Sequence, residues 1–234
     1  MLGEMLVVED VLLLMLDDKT GAVTGAGTYH YTLGGAVLVE LALRGRVEID
    51  QGGSWLSSPK VRAAGDGPLP DPLLQSAYDK VAQGGPRHVQ TVLMDLGADL
   101  WQPVVDRLVE RGLIRRESRR VLGLFRTTRL PVDDARHEEE LRRKVRAVLE
   151  EGEDPDARTA AVIALISASG VLPSLHPAIR WSGKVYKRAK EFEQGNWGAV
   201  AVNTAVSGTT AAIAASNAAV SAAITTVITS GRAH

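Results

Sequence analysis

From Gln194 to Gly231 the chain carries no charged residue, and nothing else in the sequence constrains the fold as strongly. Twenty residues of such a stretch would cross a bilayer core of about 30 Å at a rise of about 1.5 Å per residue. The composition points elsewhere. Ala, Thr, Ser and Asn dominate, and the few large apolar residues are ordered: Val206, Ile213, Val220 and Val227 lie seven apart, with Ile224 and Ile228 beside them. That pattern is a narrow packing seam with small residues that let helices approach closely. We expect a buried central helix rather than a membrane span. Aromatics make up only 4% of the 234 residues, so aliphatic helix-on-helix packing must supply most of the core.

The rest of the chain supports a mainly α fold. A single domain over 1–234 is expected, with a helical bundle around the buried Ala-rich C-terminal helix and small peripheral β-hairpins. Near the N-terminus, Val-Leu-Leu-Leu-Met-Leu between Asp10 and Asp17 reads as a short buried element. The segment before it lacks a basic leader, and Glu4, Glu9 and Asp10 interrupt its apolar run, which argues against a signal peptide. Gly21 to Gly35 is rich in glycine and reads as a loop or weak hairpin. Gly35–Gly45 is a strong helix, and Arg46–Asp50 alternates like a strand. The pattern Leu38, Leu41, Ala42, Arg44, Gly45, Val47 returns 67 residues later as Val105, Leu108, Val109, Arg111, Gly112, Ile114. In both, a cation suits the helix C-terminus and glycine can take the left-handed cap. After the second copy, Leu113–Glu117 and Val121–Thr128 are expected to form a hairpin around a basic turn, Ser118-Arg-Arg. Ser57–Pro72 reads as a loop. Helices are expected over Pro72–Gln83, His88–Gly97, Ala135 to about Glu150, Ala157–Ala168 and Ile179–Glu193.

The chain offers no recognisable catalytic constellation. It has no cysteine, hence no disulfide, thiolate metal site or thiol nucleophile, and this fits a reducing compartment. There is no His-Glu-x-x-His pair, no phosphate loop ending in Gly-Lys-Ser/Thr and no Gly-x-Ser-x-Gly elbow. Gly25-Ala-Gly27 opens like a dinucleotide loop, but position 30 is His30. His30, His88, His137 and His176 are scattered and read as surface residues. We therefore expect no enzyme, no cofactor and no metal site.

Charge does carry a signal. Lys and Arg number 27 against 28 Asp and Glu, so attraction to acidic partners has to come from local clusters. The densest cluster lies on the helix after Ala135: Arg142, Arg143, Lys144 and Arg146, over an apolar stripe of Leu141, Val145, Val148 and Leu149. Guanidinium groups offer forked donors to phosphate oxygens, so this outward face is a candidate anion site. The plainer reading is a solvated face, with Glu138, Glu139 and Glu140 each four residues before Arg142, Arg143 and Lys144. Arg126 and Arg129, just upstream, would add to the patch. Arg115, Arg116, Arg119 and Arg120 form a second cluster on the expected hairpin. Of the tryptophans, Trp55 sits in a loop where an indole could rest at a membrane interface, whereas Trp101 and Trp181 read as core.

At Asp10-Val-Leu-Leu-Leu-Met-Leu, Glu40-Leu-Ala-Leu-Arg-Gly-Arg-Val and Val109-Glu-Arg-Gly-Leu-Ile the sequence resembles the Golgi phosphoprotein 3 family, particularly its bacterial relatives. The similarity continues through Leu124-Phe-Arg-Thr-Thr, the basic helix Leu141–Leu149, Ala168-Ser-Gly-Val-Leu and the apolar last segment. The resemblance implies a mostly α-helical, non-enzymatic, peripheral membrane protein that recognises phosphatidylinositol 4-phosphate. In eukaryotic members this couples membranes to cargo glycosyltransferases and coat proteins, through a headgroup site with a Trp and an Arg before the Glu-Leu-Ala-Leu helix and basic residues on the later helix. Here the segment 21–35 has neither Trp nor Arg, and Gly34 stands where the Arg is expected. The basic helix keeps its character. The expected headgroup-binding residues are thus Arg129, Arg142, Arg143 and Arg146, and the expected partner is an anionic membrane lipid, phosphatidylinositol 4-phosphate-like. A protein cargo and a second copy of the chain are further partners, the location being cytoplasmic and peripherally membrane-associated.

Two other readings remain open at this level. Leu100–Thr128 has the outline of a winged helix, the mark of a DNA-binding regulator, although Asp106 and Glu110 are poor neighbours for phosphates. Alternatively, the Ala-rich helix is the interface of an oligomerising structural protein.

Overall fold

The computed structural model describes residues 3–17, 21–24, 29–50, 59–121, 125–175, 177–195, 211 and 213, with the side chains of 118–127 outside that description. In chain order the described helices are α1 (Val7–Met15), α2 (Tyr29–Leu43), α3 (Pro72–Gln83), α4 (Val89–Gly97), α5 (Trp101–Glu110), α6 (Arg136–Arg146), α7 (Ala157–Ala168) and α8 (Gly183–Glu193). Strands β1 (Val47–Asp50), β2 (Lys60–Ala63) and β3 (Arg87–His88) form one antiparallel sheet in that order. Strands β4 (Glu117–Val121) and β5 (Phe125–Arg129) form a separate hairpin.

A helix that is apolar on every face has no side to offer water and must be buried. Helices α1, α2 and α7 come close to that condition, apolar round most of their circumference, and make the middle of the described structure. Every residue of α1 is buried, as are Thr32–Ala42 of α2 and Ala160–Ile166 of α7. The others lie around them, each with one inward stripe; α3, for example, buries Leu74, Ala77 and Val81. Helices α2 and α4 cross at two glycines. A Cβ on Gly34 would collide with the Leu93 carbonyl, and one on Gly97 with the His30 carbonyl. The expected C-terminal helix lies outside the described residues except at Ala211 and Ile213. There, Ile213 is fully buried, and a Cβ on Gly35 would meet its Cγ2 at 2.9 Å.

The repeated Arg-Gly pattern builds the same turn twice. Gly45 and Gly112 both have positive φ, +65° and +71°. Arg46 N–H bonds the Leu41 carbonyl at 2.8 Å, and Leu113 N–H bonds the Leu108 carbonyl at 3.0 Å. Gly45 and Gly112 N–H bond the carbonyls of Ala42 and Val109, three residues back. Each helix thus ends in a Schellman cap that returns two orphan carbonyls to use.

Several local expectations are corrected. Helix α2 begins at Tyr29, inside the segment expected as a loop, because Tyr29 has a ring to pack on: Trp101, 5.2 Å away between centroids. Among the described residues, only a Leu16–Val23 bridge remains of the weak hairpin. Within the expected loop 57–72, Lys60–Ala63 is a strand that buries only Val61. The strand expected at Leu113–Glu117 is reduced to an Ile114–Val132 bridge, since Leu113 N–H is taken up by the helix cap and its carbonyl accepts from Asp133. The hairpin shifts accordingly, placing Ser118, Arg119 and Arg120 within β4 rather than at its turn. Helix α8 starts at Gly183 because Ser182 caps it, its hydroxyl accepting from Val185 N–H.

Candidate functional site

Helix α6 presents the basic face as the sequence spacing requires. Val145 is buried and Leu141 packs against the core, while Arg143, Lys144 and Arg146 are exposed on the outward side. Arg142 and Arg146 share one flank, a turn apart. Each cation has a carboxylate neighbour. Arg142 Nη2 lies 2.7 Å from Glu138, which is 1% exposed on the inner face. The Glu138 carboxylate is therefore a buried partner and not part of a solvated run. Arg143 donates to both oxygens of Glu140, at 2.8 and 2.6 Å, rather than to Glu139. This hydrogen bonding holds the Glu140 carboxyl below the usual carboxylate range and raises Arg143. Lys144 stands 3.8 Å from Glu140, and Arg146 Nε 3.6 Å from Glu151. Arg129 closes β5 opposite Glu117 in register, half-buried, and so belongs to the hairpin rather than to the helix. Arg126 has its side chain outside the described residues.

A second set of arginines lies inward, with little sign of it in the sequence. The acids that interrupt the N-terminal apolar run, Glu9 and Asp10, are buried with Glu40. Glu9 accepts from Arg111 at 2.7 Å and Arg107 at 3.2 Å. Asp10 accepts two bonds from Arg158, at 2.6 and 2.8 Å, and contacts His137 Nε2 at 2.8 Å. Glu40 accepts from Arg44 at 2.9 Å and from the Val7 backbone N–H at 2.8 Å. Burial works against the charge on Arg107, yet its bonds to Glu9 and the nearby Asp71 raise it overall. His137 is thus not a simple surface residue; His30 is half-buried within α2, and His176 lies outside the described residues.

The motif Glu40-Leu-Ala-Leu-Arg44-Gly45-Arg46 is explained by this architecture. Glu40 is the buried acceptor, Arg44 its partner and Gly45 the left-handed cap. Arg46 donates to the carbonyls of Asp66 and Gly67 and lies 4.3 Å above the Tyr78 ring. Gly34, at the position where the family resemblance expects an arginine, sits in the α2–α4 crossing, so a side chain there would force the two helices apart.

The hairpin cations are partly neutralised. Arg115 bonds Glu117 and Asp133, each at 2.9 Å, and Arg116 bonds Asp106, holding that carboxyl low. A cavity of about 800 Å³ lies between α3, α5 and residues 3–6, with Leu73, Leu100 and Pro103 beside Arg44, Arg107 and Glu110. A smaller one of about 120 Å³ is lined by His137, Lys144 and Arg158. Neither is lined by Arg129, Arg142, Arg143 or Arg146. Trp181, expected in the core, is 43% exposed, because it precedes α8 and has no inward position on it. Trp55 and Trp197 lie outside the described residues. Among the described residues no helix is long and apolar enough to cross a membrane, and no group of three or more His, Asp or Glu is disposed to hold a metal.

Fold and surface together define a mainly helical scaffold with minor β elements, an interior containing buried ion pairs, and an arginine-bearing outward helix. A family model described as Golgi phosphoprotein 3 (GPP34) matches residues 7–209. The chain belongs to the Golgi phosphoprotein 3 family.

Proposed function

We propose that this chain is a peripheral membrane adaptor that binds anionic, phosphoinositide-like lipid headgroups and has no catalytic role of its own. The observation that carries the reading is the arginine pair Arg143 and Arg146 on the outward face of α6, in a chain that belongs to a family of non-enzymatic, phosphoinositide-binding adaptors. Their carboxylate partners are themselves about half exposed, at 45% for Glu140 and 55% for Glu151. Exposed ion pairs of this kind hold weakly and are screened by salt. A headgroup phosphate, accepting both forks of a guanidinium, can displace them.

Within this reading Arg142 is a positioning residue. Its guanidinium faces the buried Glu138, and it fixes the inner side of the helix that carries the other two. Arg129, the last residue of β5, would supply a further cation from the hairpin. Each cation near an anionic surface strengthens attachment by a factor of about five, so a few give reversible docking. The family's phosphatidylinositol 4-phosphate site cannot be carried over whole, since Gly34 has no room for an arginine.

Flotation with phosphatidylcholine vesicles, plain or containing phosphatidylinositol 4-phosphate, tests the proposal. The full chain is expected to float only with the phosphoinositide at low salt and to lose attachment as salt rises. Equal recovery with both vesicles would overturn it.

A further inference from the structure

The cations of α6 each have a carboxylate partner, whereas several of those just beyond it form no ion pair among the described residues. Arg180 and Lys187 are exposed, and among the described residues neither side chain has an acidic partner. Lys184 donates to the Glu150 backbone carbonyl at 2.8 Å and forms no ion pair among the described residues. On α8 the inward positions are Val185, Ala189 and Phe192. Lys187 therefore points straight away from the core, with Lys184 on one flank and Tyr186 and Lys190 on the other. Arg188 and Lys190 pair with Glu191 and Glu193 along the helix.

Two aromatic rings stand among these cations. Trp181 and Tyr186 are 43% and 51% exposed, and with Met94 they are the large hydrophobic residues exposed on the described surface. They touch each other edge to face, with ring centroids 6.0 Å apart. A contiguous indole and phenol left in water, with Lys190 Nζ 5.8 Å from the Tyr186 ring and exposed Arg180 and Lys187 next in the chain to Trp181 and Tyr186, is a combination that suits a bilayer interface. The rings settle at headgroup depth while the cations meet anionic lipid. The patch also joins the α6 face. Arg180 N–H donates to Glu150 Oε1 at 2.7 Å, and Glu150 lies in the π-helical turn Ala147–Glu151 that directly continues α6 after Arg146.

We infer that Arg180, Trp181, Lys184, Tyr186 and Lys187 form a second lipid contact, in which the aromatic pair enters the interface of an anionic bilayer while the three cations hold its headgroups. This rests on the membrane reading above and deepens it: α6 meets a phosphate by exchanging partners, whereas α8 meets anionic lipid with charge already free. The α8 contact asks only for negative surface charge, so phosphatidylserine serves it as well as a phosphoinositide.

The test uses the full chain with phosphatidylcholine vesicles that contain either phosphatidylserine or phosphatidylinositol 4-phosphate, some with brominated acyl chains that quench tryptophan at the interface. The variant Arg180→Ala/Lys184→Ala/Lys187→Ala removes three exposed cations and is expected to weaken phosphatidylserine binding about 100-fold, roughly fivefold for each. Bromolipid quenching in the unaltered chain is expected to fall in Trp181→Phe, with circular dichroism unchanged in both variants. Full phosphatidylserine affinity in the triple variant, or quenching unchanged in Trp181→Phe, would overturn the inference while leaving the α6 reading in place. If the unaltered chain binds neither anionic vesicle, the membrane reading itself fails. Retardation of duplex DNA without vesicle binding would make the patch a nucleic-acid contact and overturn the inference as well.

Discussion

The arginines of the interior and those of α6 face the same kind of partner, a carboxylate, and differ in what surrounds the pair. Glu9, Asp10 and Glu40 are 0%, 1% and 3% exposed, so each guanidinium that reaches them covers a charge that water cannot. Removing such a partner strands a buried charge. On α6 the carboxylates of Glu140 and Glu151 stay in water, and either can lose its arginine at little cost. Identical chemistry thus gives a fixed scaffold in one region and an exchangeable surface in the other. Arg142 stands between the two, an outer-helix residue tied to an inner carboxylate.

The contrast breaks most sharply at Arg158. Arg158→Met leaves Asp10 buried with, among the described residues, only His137 as a cationic neighbour, and we expect a loss of about 3–5 kcal/mol in urea unfolding. A near-neutral result would mean that the interior pairs are as dispensable as the surface ones. Next is the crossing that keeps Gly34 free of a side chain: Gly97→Ala drives a Cβ into the His30 carbonyl and is expected to cost about 1–3 kcal/mol or more. A smaller effect sharpens the surface side. Glu140→Gln frees Arg143 and removes a negative charge, so affinity for anionic vesicles should rise about fivefold in a binding titration while stability holds. The smallest concerns acid. Arg136 hydrogen bonds hold the Asp134 carboxyl at about 2. Because that value is depressed, the stabilisation it brings is complete above the ordinary aspartate pKa of about 3.9 and disappears as pH falls through about 2. An NMR titration of the Asp134 carboxyl would follow it.

The sequence was most informative where local chemistry decides the outcome. Helices α3 and α7 fall on their expected bounds because Asp71 and Asp156 cap their starts, with Pro72 at the first turn of α3. The twin Arg-Gly caps were legible for the same reason, since only glycine takes that backbone easily. The α6 stripe was legible from its period. The buried acids were not, because their partners come from far along the chain: Glu9 meets Arg107 and Arg111, and Asp10 meets Arg158. An acid within an apolar run is the signal that could have found them, read as a buried partner instead of an interruption. Strand β2 is not legible because four residues with a single buried side chain leave no alternation to detect. Trp181 departs from the expectation that large apolar residues lie inside, because the Ser182 cap of α8 leaves it ahead of the helix.

The claim that the α6 arginines serve a membrane while the interior ones serve the fold is tested most directly by one vesicle-binding titration of Arg143→Ala/Arg146→Ala at low salt. Affinity for phosphatidylinositol 4-phosphate vesicles is expected to fall roughly 25-fold, with the unfolding midpoint unchanged. Unaltered affinity in that folded variant would contradict it.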